Sequence, residues 1–156
     1  MDITLLAIGT KMPQWVEHGY DEYAKRLGRD YSLTLKELNS PRRSKSEDSA
    51  TVCRKEGELL LASIPKAAFT IALDESGKLQ STRSVANKLQ QLNDSSQSLA
   101  LLIGGADGLS DQVRQQSDEV WSLSKLTFPH AMVRVIIAEQ IYRAVSLLSN
   151  HPYHRA

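Results

Sequence analysis

Short apolar runs alternate along the chain with stretches whose apolar residues recur every three or four positions. Residues 3–8 read as a first strand. Pro13 suits the first turn of a helix, and Trp15, Val16, Tyr20, Tyr23, Ala24 and Leu27 follow it at helical spacing. Residues 32–38 alternate as a half-buried strand does, and residues 39–45 are the most loop-like segment. Ser46, Asp48 and Ser49 offer starts for a helix running to about Ala62. Residues 68–73 read as a buried strand and residues 74–78 as a turn. Ser81 or Thr82 caps a short helix through Leu92. Residues 98–103 are almost continuously apolar, the pattern of a strand covered on both faces in a parallel sheet. Ser110 caps another short helix, residues 120–122 form a short strand, and residues 123–129 form a loop. This alternation predicts an α/β fold, a mainly parallel sheet sandwiched by helices.

The final helix, from about Ala131 to Ser149, has a different pattern. Val133, Val135, Ile136, Ile137, Ile141, Val145, Leu147 and Leu148 cover nearly every face. A helix lying on one sheet needs a single apolar stripe. Apolar character all round predicts burial on two sides, with the second side supplied by another copy of the chain in a twofold homodimer. A central helix inside one core is the alternative. Glu139 and Arg143 lie four apart and are expected to pair; in so apolar a helix they, and Arg134, are expected to be buried.

At 156 residues the expectation is one domain spanning 1–156. Such a chain buries roughly 68–70% of its unfolded surface and needs no disulfide or metal to fold. The single Cys53 has no internal partner, which suits a reducing compartment. Its neighbours Arg54 and Lys55 could lower its thiol pKa; a small packed residue on a helix is the plainer reading. No apolar stretch is long enough to span a bilayer. The start lacks a basic n-region and reads as a strand rather than a signal peptide, so a cytoplasmic location is expected. A net charge of +1 is too mild for gripping nucleic acid by bulk electrostatics. Any RNA contact would be local, or made to RNA already shaped. The segment Arg42-Arg43-Ser44-Lys45 is a basic arm suited to an RNA backbone, or an ordinary solvated loop.

Gly104-Gly105-Ala106-Asp107-Gly108 follows a strand and precedes a helix, the place of a phosphate or nucleotide loop. It matches neither common glycine-rich fingerprint, and a tight turn needing positive φ explains it equally well. Three loops, 73–78, 104–108 and 123–128, fall at carboxyl ends of strands, where open α/β sheets bind ligands. Together they could enclose an adenosine-sized ligand, with Leu73, Leu123 and Leu126 as apolar walls. His130 follows Pro129 at the mouth of the last helix, and the tail holds His151, Tyr153, His154 and Arg155. His154 and Arg155 could hold a phosphate or an anionic base. The paired histidines lack a third ligand type, so no metal is expected. A docked tail is expected, against the frayed terminus that is the usual fate of last residues.

The stretches Ala7-Ile-Gly-Thr-Lys-Met-Pro-Gln-Trp-Val16, Leu102-Ile-Gly-Gly-Ala-Asp-Gly-Leu-Ser110 and Asn150-His-Pro-Tyr-His-Arg155, with Pro129-His130 and Glu139-Gln-Ile-Tyr-Arg143, resemble one family in order over essentially the whole chain. It is the ribosomal RNA large subunit pseudouridine N3-methyltransferase family of the SPOUT class. Ala106-Asp107 stands where that family more often has Pro-Glu. The resemblance implies a C-terminal trefoil knot, although knots are very rare among folds. It implies S-adenosyl-L-methionine as methyl donor, and a homodimer whose active site borrows from both subunits. Donor binding would fall on Leu73, Gly104, Leu123, Ser124, Lys125, Leu126, Thr127 and Phe128. The catalytic candidates on the substrate side are His130, Tyr153, His154 and Arg155. The substrate would be a pseudouridine of 23S rRNA in the assembled ribosome, which fits the near-neutral charge.

Methylating N3 of a uracil-like ring means removing a weakly acidic proton. It needs positioning, a proton acceptor and a cation for the developing anion. Imidazole suits the acceptor's role, which points to His130 or His154. Arg155 suits the anion, and Tyr153 orients or stacks on a base that has left its own stack. Two other readings compete: a dimeric ribosome- or nucleotide-binding protein without catalysis, and a small phosphohydrolase using Asp107 beside the glycine loop.

Overall fold

A computed structural model describes residues 1–42 and 44–155. Arg43, part of the basic arm read from the sequence, lies outside the described residues. In chain order the elements are β1 (Asp2–Ile8), α1 (Gln14–Ala24), β2 (Ser32–Leu38), α2 (Ser49–Ala62), β3 (Phe69–Leu79), α3 (Thr82–Asp94), β4 (Leu99–Ile103), α4 (Asp111–Gln116), β5 (Glu119–Ser122), α5 (His130–Leu148) and a closing 3-10 turn (Pro152–Arg155).

The strands form one sheet in the order β2-β1-β4-β3-β5, and every neighbouring pair is parallel. All five residues of β4 are buried, as its unbroken apolar run requires when helices cover both faces. Side chains alternate between two cores. Ile3, Leu5, Ile71, Leu99 and Leu101 face the layer that holds α5. Leu6, Ile8, Ala72 and Leu102 face Leu60 of α2 and Val113 of α4. Three of the helices begin where a side chain can satisfy an orphan N–H. Asp48 accepts from the Thr51 N–H at 2.8 Å, Ser81 from Ser84 at 3.1 Å and Ser110 from Val113 at 3.3 Å.

Two boundaries depart from the sequence pattern. α1 stops at Ala24 rather than Leu27, because the amides of Arg26 and Leu27 bond carbonyls three residues back and tighten the chain into a turn. β3 continues through the segment read as a turn. Trp121 of β5 pairs with both Leu73 and Lys78, so the residues between them bulge out and the strand resumes. Gly77 permits this, since a Cβ there would stand 2.6 Å from the backbone of Val120.

α5 packs against α1 and α3 on one face of the sheet. These two neighbours cover part of its apolar circumference within a single chain. Met132 stays 39% exposed, and Ile136 on the same stripe is half-buried. Arg134 lies within the helix, fully buried. Its guanidinium donates to the carbonyls of Ile8 at 3.0 Å and Gly9 at 2.8 Å and pairs with Glu37. These bonds fasten the first turns of α5 to the carboxyl end of β1. Glu139 and Arg143 do pair, at 2.6 Å, but both remain partly exposed.

Arg134→Ala should destabilise the fold by about 2–5 kcal/mol, because it leaves a cavity and two carbonyls without their donor. Urea unfolding of the variant would measure this; a loss below about 1 kcal/mol would refute the anchoring role.

Candidate active site

A cavity of about 520 Å³ opens at the carboxyl ends of β3, β4 and β5. One wall is the glycine turn, residues 104–108, which leaves β4 and leads to α4. The Gly108 N–H donates to the Gly105 carbonyl at 3.1 Å, and Gly108 takes φ +78°, left-handed backbone that favours glycine. A Cβ on Gly104 would fall 2.5 Å from the Gly108 carbonyl oxygen. The two readings of this motif therefore coincide: it is a tight turn, and its bare backbone faces a cavity. Leu73, Ile103, Trp121, Leu123 and Val133 supply apolar surface.

The opposite wall is residues 123–128. The Ser122 hydroxyl donates to the Ser124 carbonyl at 2.9 Å, the Leu126 N–H to Ser124 Oγ at 3.0 Å, and the Thr127 hydroxyl to Glu75 at 3.3 Å. Asp74 and Glu75 also line the cavity. The sequence places their loop, 73–78, beside the ligand but does not single out these two side chains, because the segment has the composition of a solvated turn; the bulge against Trp121 sets which of its residues face the site. Arg114 of α4 reaches Asp74 at 3.2 Å and the Leu109 carbonyl at 2.6 Å, tying β3 to the far end of the glycine turn. Burial works against the Asp74 charge. The Ser76 N–H and hydroxyl, together with Arg114, outweigh it and hold the carboxyl below the usual carboxylate range.

Leu73, Gly104, Leu123, Ser124, Leu126, Thr127, Phe128 and His130 all line the cavity. Lys125 is exposed and stands outside the lining. Cys53 does not have a lowered pKa: burial pushes its thiol up, and the Glu56 charge adds to this. Arg54 instead pairs with Glu58, and Lys55 with Glu47.

The tail is docked, along the second half of α5. Tyr153 donates to Glu139 Oε1 at 3.0 Å, its ring lies 4.6 Å from that of Tyr142, and Arg143 stacks on it at 4.9 Å. Burial, and then the Glu139 carboxylate, push the phenol's pKa up, so Tyr153 stays protonated. His154 Nδ1 is buried without a partner, and Arg155 is exposed. His130 begins a helix of 19 residues, and the tail turns back along it as far as Glu139, nine residues or about 14 Å of helix rise from His130. Within one chain, His130 and the tail do not meet. Among the described residues no three His, Cys, Asp or Glu side chains cluster as metal ligands would, and no helix is long and apolar enough to cross a membrane.

The family model described as "Predicted SPOUT methyltransferase" matches residues 1–154. The chain belongs to the SPOUT methyltransferase family. Relatives named ribosomal RNA large subunit methyltransferase H include those of Thioalkalivibrio sulfidiphilus, 50% identical over 155 residues with 99% of each chain covered, and Marinomonas sp., 48% identical over 99% of this chain and 100% of the relative. The relative from Neisseria meningitidis serogroup A is 46% identical, with 99% of each chain covered. A crystal structure of a methylase family protein from Neisseria gonorrhoeae superposes with a TM-score of 0.53 at 14% identity, over 90% of this chain and 80% of that one. At that identity the likeness speaks for the fold alone.

In this SPOUT chain the Asp74 contacts give a pH signature. Its folded pKa lies below the unfolded value of about 3.9, so its stabilisation is present above that pH and is lost as pH falls through the folded value. The melting-temperature gap between wild type and Asp74→Asn should be full at pH 7 and shrink as pH falls below about 4. A gap unchanged over that range in differential scanning fluorimetry would contradict this.

Proposed function

We propose that the cavity binds S-adenosylmethionine and that this enzyme, a ribosomal RNA methyltransferase, methylates N3 of a pseudouridine in 23S rRNA of the assembled ribosome. The observation that carries the reading is the self-closing glycine turn beside an adenosine-sized cavity, at the carboxyl ends of parallel strands, in a chain of this family. The residues fit the donor. A Cβ on Gly104 would strike the Gly108 carbonyl and one on Gly105 the Glu56 carboxylate, so both stay glycine and the turn that walls the cavity stays closed. Leu73, Leu123, Leu126 and Phe128 can hold an adenine ring, and Ser124 and Thr127 add polar contacts. Lys125 lies beside these, exposed and outside the lining. When bound, the donor supplies an electrophilic methyl group on a sulfonium.

The chain's own residues do the rest. His130, at the cavity edge, can take the N3 proton of the target base. His154 is the second acceptor, Arg155 steadies the anion and Tyr153 orients the ring. About half the length of α5 separates these groups within one subunit and no tail residue lines the cavity, so a complete site takes the tail of a second copy, and the working form is a cytoplasmic homodimer. The partly open stripe through Met132 and Ile136 suits that contact. The whole chain forms one domain, and its family affiliation supports a C-terminal trefoil knot around the donor.

Calorimetry should detect S-adenosylmethionine binding to the wild type and none to Gly104→Ala. His130→Ala and Arg155→Ala should each cut tritiated-methyl transfer to 70S particles by about 100-fold or more. Mixing the two inactive variants should restore activity, because a heterodimer then holds one intact site. Absence of donor binding by the wild type would refute the enzyme reading; failure of the mixture to recover activity would refute the shared site.

A further inference from the structure

Behind the glycine turn lies a carboxylate that the proposed chemistry does not use. Glu56 of α2 is only 5% exposed. Its Oε1 accepts from the Ser40 hydroxyl at 2.7 Å. Its Oε2 is buried and has no partner. A Cβ on Gly105 would sit 3.0 Å from each of the two carboxylate oxygens, so the carboxylate lies directly against the turn. A buried carboxylate oxygen without a donor is costly, and native proteins rarely leave one unexplained.

The surrounding helical turn makes the placement specific. Cys53 donates to the Gly108 carbonyl at 3.4 Å. Gly57 lets α2 approach Ser110, the cap of α4, where a Cβ would fall 2.5 Å from its hydroxyl. On the other side Lys55 pairs with Glu47, and Glu56 receives Ser40, so the same turn of α2 holds the segment that leaves β2. Residues 53–57 therefore sit between the glycine turn and the loop that bears Arg42 and Lys45.

We propose that Glu56 is a positioning residue for donor binding. Its free oxygen accepts a hydrogen bond from a backbone N–H of the glycine turn in the donor-bound state and holds that turn against α2. Ser40 fixes the carboxylate's orientation and makes the donor affinity depend on how the loop after β2 is seated. The inference rests on the reading of the cavity as the S-adenosylmethionine site.

The test separates binding from folding. Glu56→Leu removes the carboxylate at similar volume, and burying a hydrocarbon in place of a charge is commonly neutral or stabilising. Its urea midpoint should therefore match or exceed that of the wild type, while its calorimetric Kd for S-adenosylmethionine rises about tenfold or more, the expected loss of a hydrogen bond to a charged group. Glu56→Gln, which keeps an acceptor, should recover most of the affinity. KM for the donor should rise in Glu56→Leu while kcat at saturating donor stays within about threefold, as loss of binding common to ground and transition states requires. Ser40→Ala, an exposed position, should weaken donor binding about threefold without loss of stability, and its Kd decides the matter if Glu56→Leu does not fold. Wild-type affinity in a folded Glu56→Leu, or in Ser40→Ala, overturns the inference and leaves the cavity reading intact. A wild-type chain that does not bind S-adenosylmethionine overturns both.

Discussion

The backbone at Gly104 and the carbonyl of Gly108 approach so closely that no side chain fits between them. This contact folds the strand end back on itself, and the geometry of the site follows from it. The turn can close only because Gly108 adopts positive φ, and its closure aims residues 104–108 along one side of a cavity. Around this fixed wall the other parts are held by ordinary side-chain bonds. Arg114 ties it to β3, Glu75 holds Thr127 of the facing wall, and α2 backs it through Cys53 and Glu56. Strain or bulk introduced at the turn would therefore reach several elements at once.

α5 is the second organising element, and it acts as a spacer. Arg134 pins its first turns to β1 by donating to carbonyls that the end of the strand leaves open. Along its second half the aromatic group of Tyr23, Tyr142 and Tyr153, with the Glu139–Arg143 pair, holds the tail. His130 and Glu139, where Tyr153 docks, stand nine residues apart, about 14 Å along the helix axis. The helix therefore holds the cavity edge at His130 apart from the docked tail.

Much of the fold could be read directly from residue order. The β4 run is apolar at every position because both sheet faces are covered. Ser81, Asp48 and Ser110 cap helices because short oxygen-bearing side chains reach an N–H two or three residues on. Seven of the eight residues read as donor-binding from the family likeness line one cavity, Lys125 being the exception. The loop holding Asp74 and Glu75 was legible as part of the enclosure, but not that these side chains line it, because a bulge has no periodic signature: whether polar residues face solvent or a site depends on a partner strand far along the chain. Glu56 was hidden for a similar reason. Its position on α2 looks solvated until the glycine turn and Ser40 close over it.

What the amino-acid order determined by itself was local: where strands and helices lie, which glycines must stay bare, and which residues carry acid, base or positive charge. These follow from short-range sterics, capping and hydrophobic period, and the family likeness adds their chemical meaning. The tertiary structure decided which of those groups meet. It placed His130 at the cavity and the tail on the second half of α5, outside the cavity lining, and it buried one guanidinium and one carboxylate against backbone from other elements. Such contacts join residues far apart in the chain, and their energy depends on burial that exists only once the sheet and both helical layers have assembled.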